Sequence, residues 1–379
     1  MLITNYKLQS VRILFISHSY PPVWGGVESQ NYNLAKNLSK IAEVKVIANG
    51  KGKKYLPIFL PVTLVRMLFL MSKFDVCLLG NGVLAPWGAI AKLFHPRKKY
   101  FCVVHGLDIT FANKKGFLSK VYKSINIPSL KKLDKLLMVG NTTIEEAVKA
   151  GIRREHCVFV PNGINPDEFA EKHSHEEMAK VLDADIENKK IIFRLGRFVP
   201  HKGTSWFVER VMPNLAENVI MVAAGGRVGK NTAGDKDDFL VCEKIIKEKN
   251  LGSRVRLFPN IAEKQKKILL GAADLVVSPN IKVSGTMEGF GINVIEAGAC
   301  ERVVVASALE GLKDAVKDGE NGFLVEPEKA DAWVQKINEL LANDEFREEF
   351  GKKARKYTSE HFSWDKIAKK YLYVMKNIA

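Results

Sequence analysis

Acidic residues are scarce in the first half of this 379-residue chain. Residues 1–170 hold 10 Asp and Glu against 24 Lys and Arg, a net of +14, while the remaining 209 residues hold 32 against 34. Such asymmetry predicts an anionic partner for the first half, either nucleic acid or an acidic membrane face; the plainer reading is a basic surface that aids solubility. Cysteines are also few. Cys77, Cys102, Cys157, Cys242 and Cys300 are scattered, with no CxxC or Cys/His spacing. A disulfide framework and a structural zinc site are therefore excluded, and reduced core thiols are expected. The opening "MLITNYKLQS" lacks the basic-then-apolar pattern of a signal peptide, so a cytoplasmic location is expected. No low-complexity segment and no short repeat occurs.

A clean apolar run of about 20 residues, enough to span a bilayer, is missing too. The nearest approach is "YLPIFLPVTLVRMLFLMSKF" (55–74), where Leu56 to Met71 contain Pro57, Pro61 and Arg66. A transmembrane helix is excluded on this reading. The stretch either packs on the first sheet or lies shallowly in a membrane surface, helped by Lys51, Lys53, Lys54 and Lys73.

What is present is alternation. "VRILFIS" (11–17), "EVKVIAN" (43–49), "DVCLLG" (75–80), "YFCVVHG" (100–106), "KLLMVG" (135–140) and "CVFVPNG" (157–163) read as strands apolar on both faces. Helical patterns lie between them, such as "TTIEEAVKAG", with Asn141 or Thr142 as N-cap and Gly151 just past its end. Residues 164–189 interrupt the pattern, and within them 171–189 are taken as a linker. Alternation resumes with "KIIFRLGR" (190–197), "NVIMVAAGG" (218–226), "RVRLFPN" (254–260), "ADLVVSPN" (273–280), "RVVVAS" (302–307) and "GFLVEP" (322–327). The fold class is α/β, with two doubly wound Rossmann-like domains, 1–170 and 190–361, facing a central cleft. Open α/β sheets bind ligands at the carboxyl ends of strands, which makes that cleft the expected site.

One stretch carries the chemistry. In "SPNIKVSGTMEGFGINVIEAG" a strand ends near Pro279, a loop with Gly285, Gly289 and Gly291 follows, and a helix begins at "INVIEAG". Unpaired N–H groups at a helix start, with glycines beside them, outline a phosphate cradle. Glu288 precedes the helix and Glu296 lies about one turn inside. A carboxylate accepts from both vicinal hydroxyls of a ribose, so the two acids flank a sugar–diphosphate–ribose ligand. "LGRFVPHKG" puts Arg197 and Lys202 after another strand, where two cations can neutralise charge on a leaving diphosphate. "SHSYPPVWGGVESQ" gives a second loop-to-helix start at Gly25 and Gly26, and "HGLDIT" places His105 and Asp108 at a strand end. The acid pairs in "DAD" (183–185) and "DKD" (235–237) sit in polar segments rather than at strand ends, so no metal site is expected.

Gly25-Gly26, His105 in "HGLD", Asn162-Gly163 in "PNGI", Arg197 and Lys202 in "GRFVPHKG", and "EGFGINVIEA" occur in that order. Together they resemble the retaining glycosyltransferases of family four (glycosyl transferases group 1), which have the GT-B fold. The resemblance runs over nearly the full length. It implies that the tail 362–379 completes the N-terminal domain. It further implies a nucleotide-diphosphate sugar donor held mostly by the C-terminal domain, and an acceptor held by the N-terminal one. On that basis Arg197 and Lys202 hold the diphosphate and Glu296 the ribose. Glu288 contacts the transferred sugar, beside the N–H groups of Phe290, Gly291 and Ile292. His105 reaches the donor sugar, and Gly25 and Gly26 close over phosphates and acceptor. Asp108, Asn162, Gly225 and Asn260 are secondary candidates. Retention in this family is usually explained by front-face attack, with the leaving phosphate taking the acceptor's proton, so no cofactor or metal is expected. The chain departs from the pattern at Asn165, where Asp is usual, at "AAGGRVGK" around Gly225, Gly226 and Arg227, and at "GACERVVVAS".

Other readings are a GT-B-fold nucleotide-sugar epimerase or phosphorylase, and a non-enzymatic basic protein binding membrane or nucleic acid. Aromatic RNA-stacking motifs and a recognition helix are lacking, so no nucleic-acid partner is expected. The acceptor is expected to be a glycan, a lipid-linked species or a small molecule. A membrane-linked acceptor and a peripheral position on an anionic membrane surface are favoured by "GKGKKYLPIFL" (50–60) and "NKKGFLSKVYKSINIPSLKKLDK" (113–135). There Lys114, Lys115, Lys120, Lys123, Lys131, Lys132 and Lys135 alternate with Phe117, Leu118, Val121, Tyr122 and Ile125.

Overall fold

The twelve apolar runs become twelve strands. The computed structural model describes residues 11–22, 25–113, 116–227 and 237–377; Lys114, Lys115 and Asp235 lie outside them. In the first half, β1 (Arg12–Ser17), β2 (Glu43–Ala48), β3 (Val76–Leu79), β4 (Lys99–Val104), β5 (Lys135–Met138) and β6 (Cys157–Phe159) form one parallel sheet. Its order is β2-β1-β3-β4-β5-β6. Ile13 stands opposite Val44 on one side and Val76 on the other. The inner strands are buried almost throughout because helices cover both faces, while β2 at the edge is largely exposed.

In the second half, β7 (Lys190–Leu195), β8 (Val219–Gly225), β9 (Val255–Pro259), β10 (Leu275–Ser278), β11 (Val304–Ser307) and β12 (Phe323–Val325) form another parallel sheet, ordered β12-β11-β10-β7-β8-β9. The chain winds outward from β7 to β9, then returns to the other side of β7 as β10. The junction of β7 and β10 is thus the topological switch point, where a crevice opens at the strands' carboxyl ends. In the first sheet the same reversal falls between β1 and β3.

Two compact units result, one of Met1–Gly163 with Trp364–Ala379, the other of Ile164–Ser363. The terminal helix Trp364–Lys376 buries Trp364, Ile367, Ala368, Tyr371 and Met375, a single helical stripe, against helix Gly26–Leu38. All five cysteines are buried free thiols, and Cys242 lies in helix Asp238–Glu248.

Three expectations change. Residues 171–189 belong to the second unit rather than linking two bodies. Helix His175–Leu182 forms there, closed by a capping box in which Ser174 and Glu177 exchange hydrogen bonds, and its buried Met178 and Leu182 face helix Glu263–Ala272. Asn141 is the first helical residue of Asn141–Lys149 rather than its cap; Gly140, in extended backbone, takes that position. The 55–74 stretch packs on the first sheet along one side only. Helix Leu56–Leu70 buries Phe59, Thr63 and Met67 and leaves Ile58, Val62, Val65 and Phe69 exposed. By length and composition alone Leu56–Lys73, with mean hydropathy 1.6, is apolar enough to cross a membrane. Its place as the crossover between β2 and β3 fixes it to the sheet instead.

Candidate active site

In the second unit the switch point gathers the charged residues. Lys202 follows β7 in a short turn that ends at Gly203, whose φ is 66°. A Cβ at Gly203 would stand 1.8 Å from the Pro279 carbonyl oxygen, so only glycine lets this turn sit on the end of β10. Ile281 N–H donates to the His201 carbonyl at 3.0 Å and fastens the two loops. Lys202 is thereby set against Glu288, with which it forms a largely buried ion pair. Asn280 Nδ2 donates to the same carboxylate at 2.9 Å, and Glu288 N–H donates to Glu310 at 2.7 Å. Burial alone would raise the Glu288 carboxyl, but Lys202, His201 and Asn280 hold it below its ordinary value, so it is anionic at neutral pH.

Gly291 caps helix Ile292–Ala299 with φ of 97°, in the left-handed region. Phe290 is fully buried against Phe362, with ring centroids 5.5 Å apart, so its ring is spent on packing. Glu296 lies on the same helix and is paired with Lys266 at 3.0 Å. Burial raises Glu296, and Lys266 offsets only part of that shift. Burial lowers Lys266, yet Glu296 and Glu263, 2.7 Å away, outweigh it and take the ammonium up to about 12. The two acids of the motif are thus held by different cations at the two ends of the cradle.

Arg197 is exposed, and its side chain has no hydrogen-bond or ion-pair partner among the described residues. Its turn is held from below by Arg194, which is 1% exposed and donates to the carbonyls of Gly196 and Arg197, the latter at 2.8 Å. Gly225 ends β8, and its carbonyl accepts from the N–H of Asn260, just past β9. Arg227 pairs with Asp237 at 2.6 Å, and Asp237 also caps helix Asp238–Glu248, which gives that acid of "DKD" a structural task. In "DAD", Asp183 ends helix His175–Leu182 and Asp185 accepts from Glu187 N–H at 2.9 Å, a turn at a helix end.

In the first unit, His105 follows β4. Its Nε2 lies 3.2 Å from the Gly80 carbonyl, an acceptor, which assigns the ring proton to Nε2 and leaves Nδ1 as an acceptor. Burial lowers the imidazole to about 4, so it is neutral at physiological pH. Asp108 receives the His105 N–H at 2.8 Å, and burial raises its carboxyl to about 6. His18 after β1 meets Asn81 after β3 at 2.6 Å, across that sheet's switch point. Asn162 is buried and lines one small void with His105, Gln30 and Trp364. Its neighbour Gly163 exchanges two hydrogen bonds with Gln30, each 3.0 Å. Gly25 is the extended cap of helix Gly26–Leu38.

Sequence reasoning missed Lys266, Asn280, Glu310 and Arg194. Only Arg194 gave a signal, a cation inside an otherwise apolar strand. The others meet their partners through the tertiary fold.

The family model of glycosyl transferases group 1 matches residues 177–357, and that of Glycosyltransferase Family 4 matches residues 24–168. An uncharacterized glycosyltransferase of Methanocaldococcus jannaschii is 32% identical over 220 residues, covering 57% of this chain. The chain spans 52% of that relative, about half its length. The N,N'-diacetylbacillosaminyl-diphospho-undecaprenol alpha-1,3-N-acetylgalactosaminyltransferase of Campylobacter jejuni is 27% identical over 73% of this chain and 71% of its own. Among solved structures, Anabaena HepE in complex with UDP shares the fold, with TM-score 0.77 and 19% identity over 97% of this chain and all of that one. The second unit carries the group 1 match and most of the first carries the Family 4 match, and on both counts the chain belongs to the group 1, family 4 glycosyltransferases with the GT-B fold.

Proposed function

We propose that the chain is a retaining glycosyltransferase that moves a sugar from a nucleotide-diphosphate donor to an acceptor. The observation that carries this reading is the switch-point cluster of Lys202, Glu288 and Asn280 beside the helix start at Gly291. A diphosphate there meets Lys202, the exposed Arg197 and the N–H groups of a helix N-terminus. Glu296 accepts from the ribose hydroxyls. Glu288, kept ionised, accepts from hydroxyls of the transferred sugar. His105 offers a neutral acceptor nitrogen to a sugar hydroxyl. In the step itself the bond from the anomeric carbon to phosphate oxygen breaks and the acceptor oxygen bonds to the same face. The acceptor's proton passes to the departing phosphate, whose growing charge Lys202 and Arg197 stabilise.

No metal is required on this reading, since two cations and a helix terminus occupy its electrostatic role. The first unit takes the acceptor, which we place among membrane-linked glycans and lipids. The Campylobacter relative's name, with its diphospho-undecaprenol acceptor, supports that class. The chain then works peripherally on the cytoplasmic face. The test is a screen of nucleotide sugars read by released nucleoside diphosphate, with and without EDTA. Turnover undiminished by chelation, with the product retaining the donor's anomeric configuration, is expected. Inverted product would overturn retention; activity lost to EDTA and restored by Mg²⁺ or Mn²⁺ would overturn metal independence.

A further inference from the structure

Between β2 and β5 the first unit runs through three crossover helices, Leu56–Leu70, Ala85–Phe94 and Phe117–Lys132. All three crossovers step the same way along the sheet, and right-handed crossover puts such helices on one face, side by side. Trp87 Nε1 donates to the Leu60 carbonyl at 2.6 Å and ties the first pair, and the second helix packs against the third. Their inner sides bury Met67, Ala91 and Leu130. Their outer sides are apolar as well, which a covering layer in water does not need. Ile58, Val62, Val65 and Phe69 fall within an arc of about 60° at 100° per residue. Leu93 and Phe94 continue the surface on the second helix, and Phe117, Leu118, Val121 and Ile125 on the third. Among the described residues nothing covers this surface: Phe69, Leu93, Phe94, Phe117 and Leu118 are 67% to 79% exposed.

Charge selects the occupant. From residue 44 to residue 133 the chain carries sixteen Lys and Arg, and its acids are Asp75 and Asp108 alone. Asp75 is neutralised by Arg12 at 2.8 Å. On the third helix Lys120, Lys123, Lys131 and Lys132 are exposed, alternate with the apolar residues and make no ion pair among the described residues. Protein interfaces deplete lysine at their centres. Lysines scattered through a bulky apolar surface instead suit an interface where apolar groups enter the acyl region and ammonium groups reach anionic headgroups.

We infer that this three-helix face is a docking surface for an anionic lipid bilayer, with Phe69, Leu93, Phe94, Phe117 and Leu118 as the inserting residues. The inference rests on the surface alone and stands whether or not the chain transfers sugar. The test is co-sedimentation of the full chain with phosphatidylcholine vesicles and with vesicles of phosphatidylcholine and phosphatidylserine, at low and high salt. Binding is expected to require phosphatidylserine and to weaken with salt. Lys120→Glu with Lys123→Glu should reduce partitioning at least about 20-fold, since each lysine near the surface contributes about 5-fold. Leu93→Ser with Phe94→Ser, and Phe117→Ser with Leu118→Ser, should each reduce it at least about 10-fold at either salt concentration. These positions are exposed, so unchanged thermal unfolding and unchanged nucleoside diphosphate affinity show that the variants fold. Equal recovery in the supernatant with both vesicle types overturns the inference. So does a wild type that self-associates in sedimentation without vesicles, and whose apolar variants are monomeric, because the occupant is then a second copy. Vesicle binding without any nucleotide-sugar turnover would sink the transferase reading and leave the docking surface standing.

Discussion

Lys202 and Glu288 neutralise each other before any ligand arrives, while Arg197, a few residues away in sequence, stands exposed. Substitutions at these positions and at Glu296 are therefore expected to differ in stability, binding or turnover. Lys202→Ala frees a largely buried carboxylate and, on the proposed mechanism, removes a cation from the leaving diphosphate. It should lower kcat by about 10²–10³. Arg197→Ala removes only the cation and should fall in the same range with no loss of thermal stability. Glu296→Ala should mainly weaken nucleoside diphosphate binding measured by calorimetry, whereas Glu288→Ala should leave binding and harm turnover. The reverse pattern would exchange the two acids' roles. His105 gives a stability signature. Its folded value of about 4 lies below the usual 6.5, so the unfolded chain takes up the proton first. Stability from this group is present above about 6.5 and is lost as pH falls towards 4, by on the order of 3 kcal/mol. Asp108, raised to about 6, acts oppositely, favouring the folded state as pH falls through the same window. Denaturant midpoints measured at pH 7 and pH 4.5 should therefore differ less in His105→Asn than in wild type. An unchanged difference would mean that His105 is not buried neutral.

At the scale of elements, helix His175–Leu182 is the clearest departure from sequence expectation. Its apolar Met178, Val181 and Leu182 do fall at helical spacing, but eight residues inside a long polar stretch are too few to tell a packed helix from a linker at 171–189. Met178 is nevertheless 0% exposed. Met178→Ala should cost about 2–5 kcal/mol of stability in chemical denaturation, as a buried large-to-small change does. A linker residue would cost almost nothing. The capping box at Ser174 was legible in the sequence as Ser followed three residues later by Glu, but the surface that receives the helix was not. The glycine at 203 shows the same division. A turn after β7 was readable, whereas its contact with the end of β10, about 75 residues further on, was not.

Across the whole molecule, two cores imply two cooperative bodies. Differential scanning calorimetry should show an unfolding trace broader than one two-state transition. Nucleoside diphosphate at 100 times its Kd should stabilise the second unit by about 2.7 kcal/mol. The signal should appear mainly in the transition of Ile164–Ser363, because Lys202, Glu288 and Glu296 all lie there. A shift confined to the other transition would place the nucleotide in the first unit.

The twelve strands were determined by the sequence alone, because strands buried on both faces are written as short, nearly continuous apolar runs between turn residues. The glycine-rich helix start at Gly291, the two acids around it and the two cations after β7 were legible for a similar reason: their placement depends on local backbone and on order along the chain. The tertiary structure alone decided what depends on distant contacts. It paired Lys202 with Glu288 and Lys266 with Glu296, set Arg194 beneath the Arg197 turn, and made His105 neutral by burying it. It also decided which side of helix Leu56–Leu70 faces the core, since a helix apolar all round carries no periodicity to say so.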